Sequence, residues 1–187
     1  MPDSSSPPPP GKEIATLGGG CFWCIEAALN QLKGVDSAES GYMGGKQPNP
    51  TYETICTGVS GHAEVVQVTF DPSTITFREI LEVFFALHDP TTLNRQGNDM
   101  GTQYRSVVFY HSPDQEATAK KVIETLTNDK LFDSPIVTEV SPAQPFYMGE
   151  DYHQEYFVRN PTQPYCTSLI GPKIAKFRKQ FESKLKV

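Results

Sequence analysis

The sequence predicts an α/β (α+β) fold in which helices lie on one face of a mixed sheet. Helical and strand-like segments follow one another in the order β-α-β-β-α-β-α-β, and the middle of this order is typical of split βαβ units. Hydrophobic residues make up 37% of the 187 residues, with 11 Phe and 8 Tyr, which is enough to build a core. We therefore expect one domain over residues 12–187, preceded by a disordered Pro/Ser-rich tail over residues 1–11.

Hydrophobic patterns and turn residues place the elements of the first half of the chain. They predict a strand at Glu13–Leu17, a helix at Cys21–Gln31, a strand at Val35–Tyr42 and another at Ala63–Phe70. Three glycines at 18–20 end the first strand. Residues 43–60 are rich in Gly, Pro and Asn and are predicted to be mostly loop.

Capping signals place the helices of the second half. Thr76 with Glu79 forms a capping-box pattern, and Ser112 precedes Pro113 at a helix start. The other predicted segments are a polar loop at His88–Gly101, strands at Tyr104–Tyr110 and Ile136–Val140, a Pro-punctuated coil and a basic helix near Pro172–Lys184.

The charge balance and the cysteine count exclude several classes of protein. A net charge of -6 argues against nucleic-acid binding, which requires a basic stripe. The chain has no apolar run that spans a bilayer and no secretion signal at its N-terminus, so we expect a cytoplasmic protein that binds no membrane. Four cysteines are too few to hold the fold by disulfides, and no His/Cys cluster has metal-ligand spacing. The cysteines are therefore explained either by a chemical role of their thiols or by burial in the core.

The segment Gly20-Cys21-Phe22-Trp23-Cys24 carries the strongest chemical signal. Cys21 stands where a glycine turn becomes a helix, and a helix N-terminus stabilises a thiolate. Phe22 and Trp23 follow and are predicted to form the wall of an apolar pocket. Two interpretations stay open at Cys24, a redox partner or a small buried hydrophobe, and we favour the second.

Glu64 is the second chemical candidate. Strand alternation places it on one face with Val66, Val68 and Phe70. A carboxyl group on an apolar face is desolvated, which raises its pKa and suits it to act as a general acid. The alternative is a carboxylate at the end of a strand that reaches solvent.

Tyr52 and Tyr104 are phenols next to loop segments. Their hydroxyls are suited to hydrogen-bond a polar oxygen in an apolar pocket, although ordinary half-buried tyrosines give the same pattern. Asp99 lies in a polar loop with no chemical signal of its own. His153 fits a structural histidine better than a ligand or base.

The whole set of motifs resembles the A-type peptide methionine sulfoxide reductases. The resemblance starts with Gly20-Cys21-Phe22-Trp23-Cys24 and covers about Glu13 to Gln163. Five further segments continue it in order: Gly41–Gly45, Asn49–Tyr52, Gly61–Glu64, Gly101–Ser106 and Glu150–Gln154.

This resemblance implies a two-layer sandwich with split βαβ (ferredoxin-like) topology and a long C-terminal coil. It implies reduction of methionine S-sulfoxide, free and in proteins, without metal or organic cofactor, and with thioredoxin as the reductant. We expect a monomer. The implied site comprises Cys21 as nucleophile, Glu64 as proton donor, Tyr52 and Tyr104 as oxygen-binding phenols, Phe22 and Trp23 around the S-methyl group, and Asp99 nearby.

Cys166 is predicted to form the catalytic disulfide with Cys21. Relatives carry two recycling cysteines near the C-terminus, whereas this chain has Cys166 alone there. Cys166 lies in Pro-rich coil that can fold back over a site, while helix geometry restricts a disulfide between Cys21 and Cys24. Cys56 follows Tyr52 by one helical turn and is predicted to face the core.

Two rival functions remain open at this point. A thioredoxin-like dithiol oxidoreductase would use Cys21 and Cys24, and both would be essential. A non-enzymatic peptide-binding module would use aromatic loops such as Tyr42–Tyr52. An assay with methionine sulfoxide and dithiothreitol separates all three functions.

Overall fold

Two split βαβ units interlock in a six-stranded sheet, as seen in a computed structural model. It describes residues 10–20, 22–46, 48, 50–57, 60–96, 99–150, 153–154, 156–160, 162–164 and 171–186. Numbered in the order of the chain, the strands of this sheet lie side by side as β7-β6-β1-β3-β2-β8, and β4 and β5 form a separate hairpin. All neighbouring strands of the sheet are antiparallel except β6 and β7, which are parallel.

The strands and helices follow the chain in this order: β1 (Glu13–Gly18), α1 (Phe22–Leu29), β2 (Val35–Met43), α2 (Tyr52–Cys56), β3 (Ala63–Phe70), α3 (Phe77–Leu87), β4 (Arg95–Gln96), β5 (Asp99–Met100), β6 (Val107–Tyr110), α4 (Pro113–Asn128), β7 (Glu139–Pro142), β8 (Tyr147–Met148), α5 (Tyr156–Arg159) and α6 (Gly171–Gln180). Short 3₁₀ helices occupy Thr102–Tyr104 and Glu182–Lys184.

The topology confirms the predicted fold class. The first unit runs β1-α1-β2, and β3 lies between its two parallel strands. The second runs from β3 through α3 to β6, with β1 between them. This interleaving is the ferredoxin-like arrangement, and it brings the start of α1 next to the start of β3.

Each face of the sheet is covered by a separate group of apolar side chains. The larger group lies on the helix side, and it includes Leu17, Leu29, Val66, Val68, Phe70, Ile80 and Phe84. The smaller group lies on the opposite face and comprises Met43, Ala63, Val65, Val107, Phe109 and Phe146. Phe146 reaches this face from the segment before β8, where its ring packs against Gly41.

Amide side chains pair with the outer edge of β2 where β8 does not reach. Asn30 accepts a hydrogen bond from the Ala38 N–H (2.9 Å) and donates one to the Ala38 carbonyl (3.2 Å). Gln154 makes the same pair of bonds with Ser40, at 3.0 and 2.8 Å. The backbone groups of Ala38 and Ser40 are therefore satisfied beyond the two residues that pair with β8.

The capping signals of the sequence are confirmed. The Thr76 hydroxyl accepts a hydrogen bond from the Glu79 N–H, and the Glu79 carboxylate accepts one from the Thr76 N–H. Ser112 accepts from the Gln115 N–H, with Pro113 at the first position of α4. These local bonds fix where α3 and α4 begin.

Several predicted boundaries are wrong. The predicted loop at 43–60 contains α2, which begins after a capping box between Thr51 and Thr54. The loop at 88–101 contains the β4–β5 hairpin, β6 begins only at Val107, and β7 lies at Glu139–Pro142. The predicted tail falls largely on residues 1–9, which lie outside the described residues. No helix in the described part of the chain is long and apolar enough to cross a membrane.

Candidate active site

A glycine turn carries the chain from β1 into α1. Gly20 has a φ of 94°, a conformation that side chains other than glycine rarely adopt, and a Cβ there would lie 2.7 Å from Gln96 Cγ. A Cβ on Gly19 would lie 2.8 Å from His88 Cδ2. The turn therefore needs glycine at both positions. Cys21, the predicted nucleophile, follows it and lies outside the described residues.

His88 packs against this turn at Gly19, and a chain of hydrogen bonds holds its ring in place. Its Nδ1 donates to the Phe84 carbonyl at 2.7 Å, and its Nε2 accepts from the Ser106 hydroxyl at 2.8 Å. Ser106 Oγ in turn lies 2.7 Å from Thr138 Oγ1. Burial lowers the pKa of His88 to about 4, so the ring is neutral at pH 7.

A cavity of about 320 Å³ opens at the start of α1. Its wall is formed by Phe22, Trp23, Tyr52, Glu64, Asp99, Tyr104 and Tyr156. Six of these are site residues that the sequence predicts, and they come from five separate segments of the chain. The fold thus brings together all the predicted site residues that the structure describes.

Glu64 forms the buried polar end of this cavity. Its Oε1 accepts the Phe22 N–H at 3.4 Å, while its buried Oε2 has no hydrogen-bond partner in the structure. Burial raises the pKa of Glu64 to about 8, with a smaller contribution in the same direction from Asp99, while the Phe22 N–H acts in the opposite direction. The side chain is therefore a carboxylic acid at neutral pH, with an unshared oxygen at the cavity.

Tyr52 is the first residue of α2 and is fixed there by Glu150. Glu150 Oε2 accepts the Tyr52 N–H at 3.0 Å, and its Oε1 accepts the Tyr42 hydroxyl at 3.0 Å. Burial and the nearby Glu64 carboxyl raise the pKa of Tyr52, so the phenol keeps its proton. The Tyr52 hydroxyl is thus available as a hydrogen-bond donor.

Tyr104 and Asp99 reach the cavity from the region between α3 and β6. Asp99 is the first residue of β5, where it pairs with Gln96 across the hairpin. Tyr104 ends the 3₁₀ helix, and its N–H donates to the Gly101 carbonyl at 3.0 Å. The short hairpin therefore sets the position of Asp99, and the 3₁₀ turn sets that of Tyr104.

The same cavity has an aromatic wall. The Trp23 and Tyr156 rings stack with centroids 3.8 Å apart and planes 11° apart. The Trp23 indole N–H donates to His153 Nδ1 at 3.0 Å. Phe22 is buried next to them, with its ring 5.2 Å from that of His153. The small cavity thus combines a protonated carboxyl group with flat apolar surfaces.

Comparison with known proteins identifies the family to which this site belongs. A family model described as peptide methionine sulfoxide reductase matches residues 13–185. The chain belongs to this family.

Two kinds of relatives agree with the match. The enzyme is 56% identical over 177 residues to the peptide methionine sulfoxide reductase MsrA of Ralstonia nicotianae, which covers 92% of this chain and 93% of that protein. Reduced Mxr1 from Saccharomyces cerevisiae superposes with a TM-score of 0.79 at 36% identity, over 86% of this chain and 92% of that one. Mxr1 in complex with Trx2 gives 0.57 at 27% identity, over 82% and 90%. The expectation of an A-type reductase is confirmed.

The cysteines of the enzyme occupy different surroundings. Cys24 is buried in the main core, where burial raises its pKa against a smaller opposite effect of Lys173. The expectation that Cys56 faces the core is wrong, because Cys56 is exposed. Cys166 lies outside the described residues.

Sequence reasoning missed Tyr156, Glu150 and the contact that His153 makes. Tyr156 stacks on a residue 133 positions earlier, and no local pattern reports such a contact. The only signal was position, since all three lie in or just after the Glu150–Gln154 motif. No group of three His, Cys, Asp or Glu side chains in the part of the chain that the structure describes is placed to hold a metal ion.

Proposed function

We propose that the enzyme reduces the S-epimer of methionine sulfoxide, free and in proteins, in the cavity at the start of α1. The observation that carries this proposal is Glu64, a buried acid with a pKa of about 8 and an oxygen without a hydrogen-bond partner, in a cavity that also has an aromatic wall. A sulfoxide requires both features, because its oxygen must be protonated to leave while its methyl group prefers an apolar surface.

The substrate is held at both ends. The S-methyl group lies against Phe22, Trp23 and Tyr156. The sulfoxide oxygen accepts hydrogen bonds from the Tyr52 and Tyr104 hydroxyls and from the Glu64 carboxylic acid. With the methyl group held at the rings, the two epimers present their oxygens in different directions, so we expect only one of them to reach the three donors.

The first chemical step transfers the oxygen atom. The Cys21 thiolate attacks the sulfoxide sulfur while Glu64 gives its proton to the oxygen. The attack forms a transient bond between Cys21 Sγ and the substrate sulfur. The protonated oxygen then moves to Cys21 Sγ as the sulfur–oxygen bond of the substrate and the transient sulfur–sulfur bond break, so methionine leaves and Cys21 becomes a sulfenic acid. Cys21 is oxidised by two electrons and the substrate sulfur is reduced by two, and Glu64 regains its proton from solvent.

The second step restores the thiol. The Cys166 thiol condenses with the Cys21 sulfenic acid, which releases water and forms a disulfide. A thioredoxin then reduces this disulfide by thiol exchange. The solved complex of the relative Mxr1 with Trx2 supports this choice of reductant. We also propose that residues 12–187 form one catalytic domain, since the family match spans residues 13–185. The monomeric state and the cytoplasmic location stay predictions.

A turnover assay on the two separate epimers tests the proposal. With dithiothreitol as reductant, the wild type should convert the S-epimer to methionine and leave the R-epimer intact. Cys21→Ser should abolish conversion, whereas Cys24→Ala, which removes a buried thiol of the same motif, should keep it. Consumption of the R-epimer, or an equal loss in both variants, would contradict the proposal.

A second assay tests Cys166. Cys166→Ser should release one methionine per enzyme and then stall when thioredoxin is the reductant. Peptide mapping of the wild type after one equivalent of substrate should find Cys21 joined to Cys166. Normal turnover of the variant with thioredoxin, or a disulfide from Cys21 to Cys24 or Cys56, would remove Cys166 from the mechanism.

A further inference from the structure

Arg105 is a largely buried cation that follows Tyr104 in the chain but does not line the cavity. Its side chain is only 14% exposed. A charged side chain is rarely buried to this extent unless other groups bind its donors, because it loses its hydration. No step of the proposed mechanism uses Arg105, so its burial needs another explanation.

The 3₁₀ helix that carries Tyr104 is a short and weak element. The Tyr104 N–H donates to the Gly101 carbonyl at 3.0 Å, and the Arg105 N–H donates to the Thr102 carbonyl at 3.3 Å. Gly101 precedes the helix and provides no side-chain cap. Because a single 3₁₀ turn has poor hydrogen-bond geometry, a further bond to this turn contributes to holding Tyr104 in one position.

The Arg105 guanidinium supplies such a bond. Its Nη1 donates to the Thr102 carbonyl at 2.9 Å, the same carbonyl that accepts the Arg105 N–H. Its Nε lies 3.5 Å from Glu139 Oε1, at the start of β7. The Glu139 N–H in turn donates to the Ser106 carbonyl at 2.9 Å. The guanidinium therefore joins the 3₁₀ turn to the edge of the sheet.

The end of β2 leaves room for the guanidinium. Gly44 directly follows this strand with a φ of 95°, and a Cβ there would lie 3.0 Å from Arg105 Nη2 and 2.6 Å from Phe109 Cζ. A side chain at this position would therefore push against both groups. Arg105 thus fits closely between the glycine and the 3₁₀ turn, which limits the directions its side chain can take.

We propose that Arg105 is a positioning residue that holds the turn of Tyr104 and so sets the direction in which the Tyr104 hydroxyl donates to the sulfoxide oxygen. The planar guanidinium binds the Thr102 carbonyl and the Glu139 carboxylate with different N–H groups, which fixes its orientation. Without it, the turn keeps its two backbone bonds but Tyr104 takes several positions. This inference rests on the proposed function, because it assigns the Tyr104 hydroxyl to the sulfoxide oxygen.

Three substitutions separate the bond to the turn from the ion pair. Arg105→Met keeps an apolar stem but removes both interactions. Glu139→Gln removes only the ion pair, and Arg105→Lys keeps a cation with N–H donors. Arg78→Met, which removes an arginine paired with Glu82 outside the cavity wall, is the matched control. If Arg105→Met does not fold, the same change combined with Glu139→Met leaves no charge unpaired and repeats the test.

The kinetic readout is kcat/KM for methionine sulfoxide with dithiothreitol as reductant. Arg105→Met should lower it by about two- to tenfold, the range of one hydrogen bond, and Arg105→Lys by less. Glu139→Gln and Arg78→Met should stay near the wild type. In a Tyr104→Phe background no hydroxyl remains to be oriented, so Arg105→Met should have no further effect. An arginine that only stabilises the fold would not show this dependence on Tyr104.

A second readout needs no turnover. Enzyme labelled with 3-fluorotyrosine gives a fluorine NMR signal for each tyrosine, and Tyr104→Phe identifies the signal of Tyr104 by its loss. This signal should shift or broaden in Arg105→Met and stay unchanged in Arg78→Met.

Three results would overturn the inference: an unchanged Tyr104 signal or an unchanged kcat/KM in Arg105→Met, the same loss of kcat/KM from Arg105→Met with and without the Tyr104 hydroxyl, or an equal loss in Glu139→Gln. Absence of turnover in the wild type would overturn the proposed function instead. The fluorine signal would then still decide whether Arg105 holds Tyr104 in place.

Discussion

Glu64 and His88 are two buried titratable residues that contact the glycine turn, and they differ in how their polar side-chain atoms are satisfied. Both nitrogens of His88 have partners, at 2.7 and 2.8 Å. Glu64 has a single long bond at 3.4 Å and a second oxygen without a partner. Burial makes both groups neutral at pH 7, since it raises the pKa of Glu64 to about 8 and lowers that of His88 to about 4.

The difference separates a chemical role from a structural one. A buried group whose atoms are all bonded stabilises its surroundings and has nothing left to offer a ligand. A buried acid that keeps a proton and an unshared oxygen lowers stability, and it persists where that oxygen serves a substrate. We expect substitutions at Glu64 to affect the rate and substitutions at His88 to affect the fold.

The largest expected effect is on catalysis by Glu64→Gln. The amide keeps the shape of the side chain but has no proton to transfer, so kcat for methionine sulfoxide should fall by about 10²–10⁴-fold. Stopped-flow or steady-state release of methionine measures this loss. A variant with the wild-type rate would make Glu64 a structural residue like His88.

The second effect is on stability, and matched leucines at the two positions should act in opposite directions. His88→Leu leaves the Ser106 hydroxyl and the Phe84 carbonyl without their partner and should lower the free energy of unfolding by about 1–3 kcal/mol. Glu64→Leu replaces an unsatisfied acid and should raise it. Denaturant unfolding at pH 7 measures the free energy of unfolding of both variants. Equal losses in the two variants would contradict the distinction between a structural His88 and a chemical Glu64.

The third effect is on pH dependence. Between an ordinary carboxyl pKa of about 4.3 and the folded value of about 8, the folded state keeps a proton on Glu64 that the unfolded state has released, so stability falls as pH rises. For His88 the window runs from about 6.5 down to about 4, where only the unfolded state binds the proton, so stability falls as pH decreases.

Between about pH 4.3 and 6.5 the two effects oppose each other, so the melting temperature of the wild type should fall only from about pH 6.5 to 8. Glu64→Leu should remove this fall and leave the acid slope of His88, whereas His88→Leu should extend the fall down to about pH 4.3. The rate should also decline above about pH 8, because Glu64 must be protonated to act. Glu64→Gln should lack this decline.

The smallest effect is expected at the end of the His88 chain. Thr138→Val removes the last hydroxyl but leaves the bond between Ser106 and His88, so the free energy of unfolding should fall by only about 0.5–1 kcal/mol. The turnover rate should not change. A loss as large as that of His88→Leu would mean that the chain acts as one unit.

Local patterns in the sequence were sufficient for the elements with regular periodicity. β3 has the predicted bounds because its residues alternate, and α3 begins where Thr76 and Glu79 bond to each other's backbone. The short elements had no such period. α2 has five residues and depends on Thr51 and Thr54, and the β4–β5 hairpin has two residues on each side.

The site shows the same division. Glu64 was found because a carboxyl group among alternating apolar residues is anomalous, and Phe22 and Trp23 because they follow a cysteine at a helix start. The contacts among Trp23, His153 and Tyr156 join residues about 130 positions apart, so they follow from the folded chain and not from any local pattern. Cys56 was misplaced because helical spacing from Tyr52 does not say which side of α2 meets the core.

The amide side chains along β2 have a consequence for the conditions in which such an enzyme works. A sheet with an open edge offers its free N–H and carbonyl groups to any unfolded chain and can begin aggregation. Here the long outer edge of β2 is occupied at Ala38 and Ser40 by Asn30 and Gln154, and by β8 beyond them. An enzyme that reduces oxidised methionine is thereby protected at these positions from adding an unfolded chain to its own sheet.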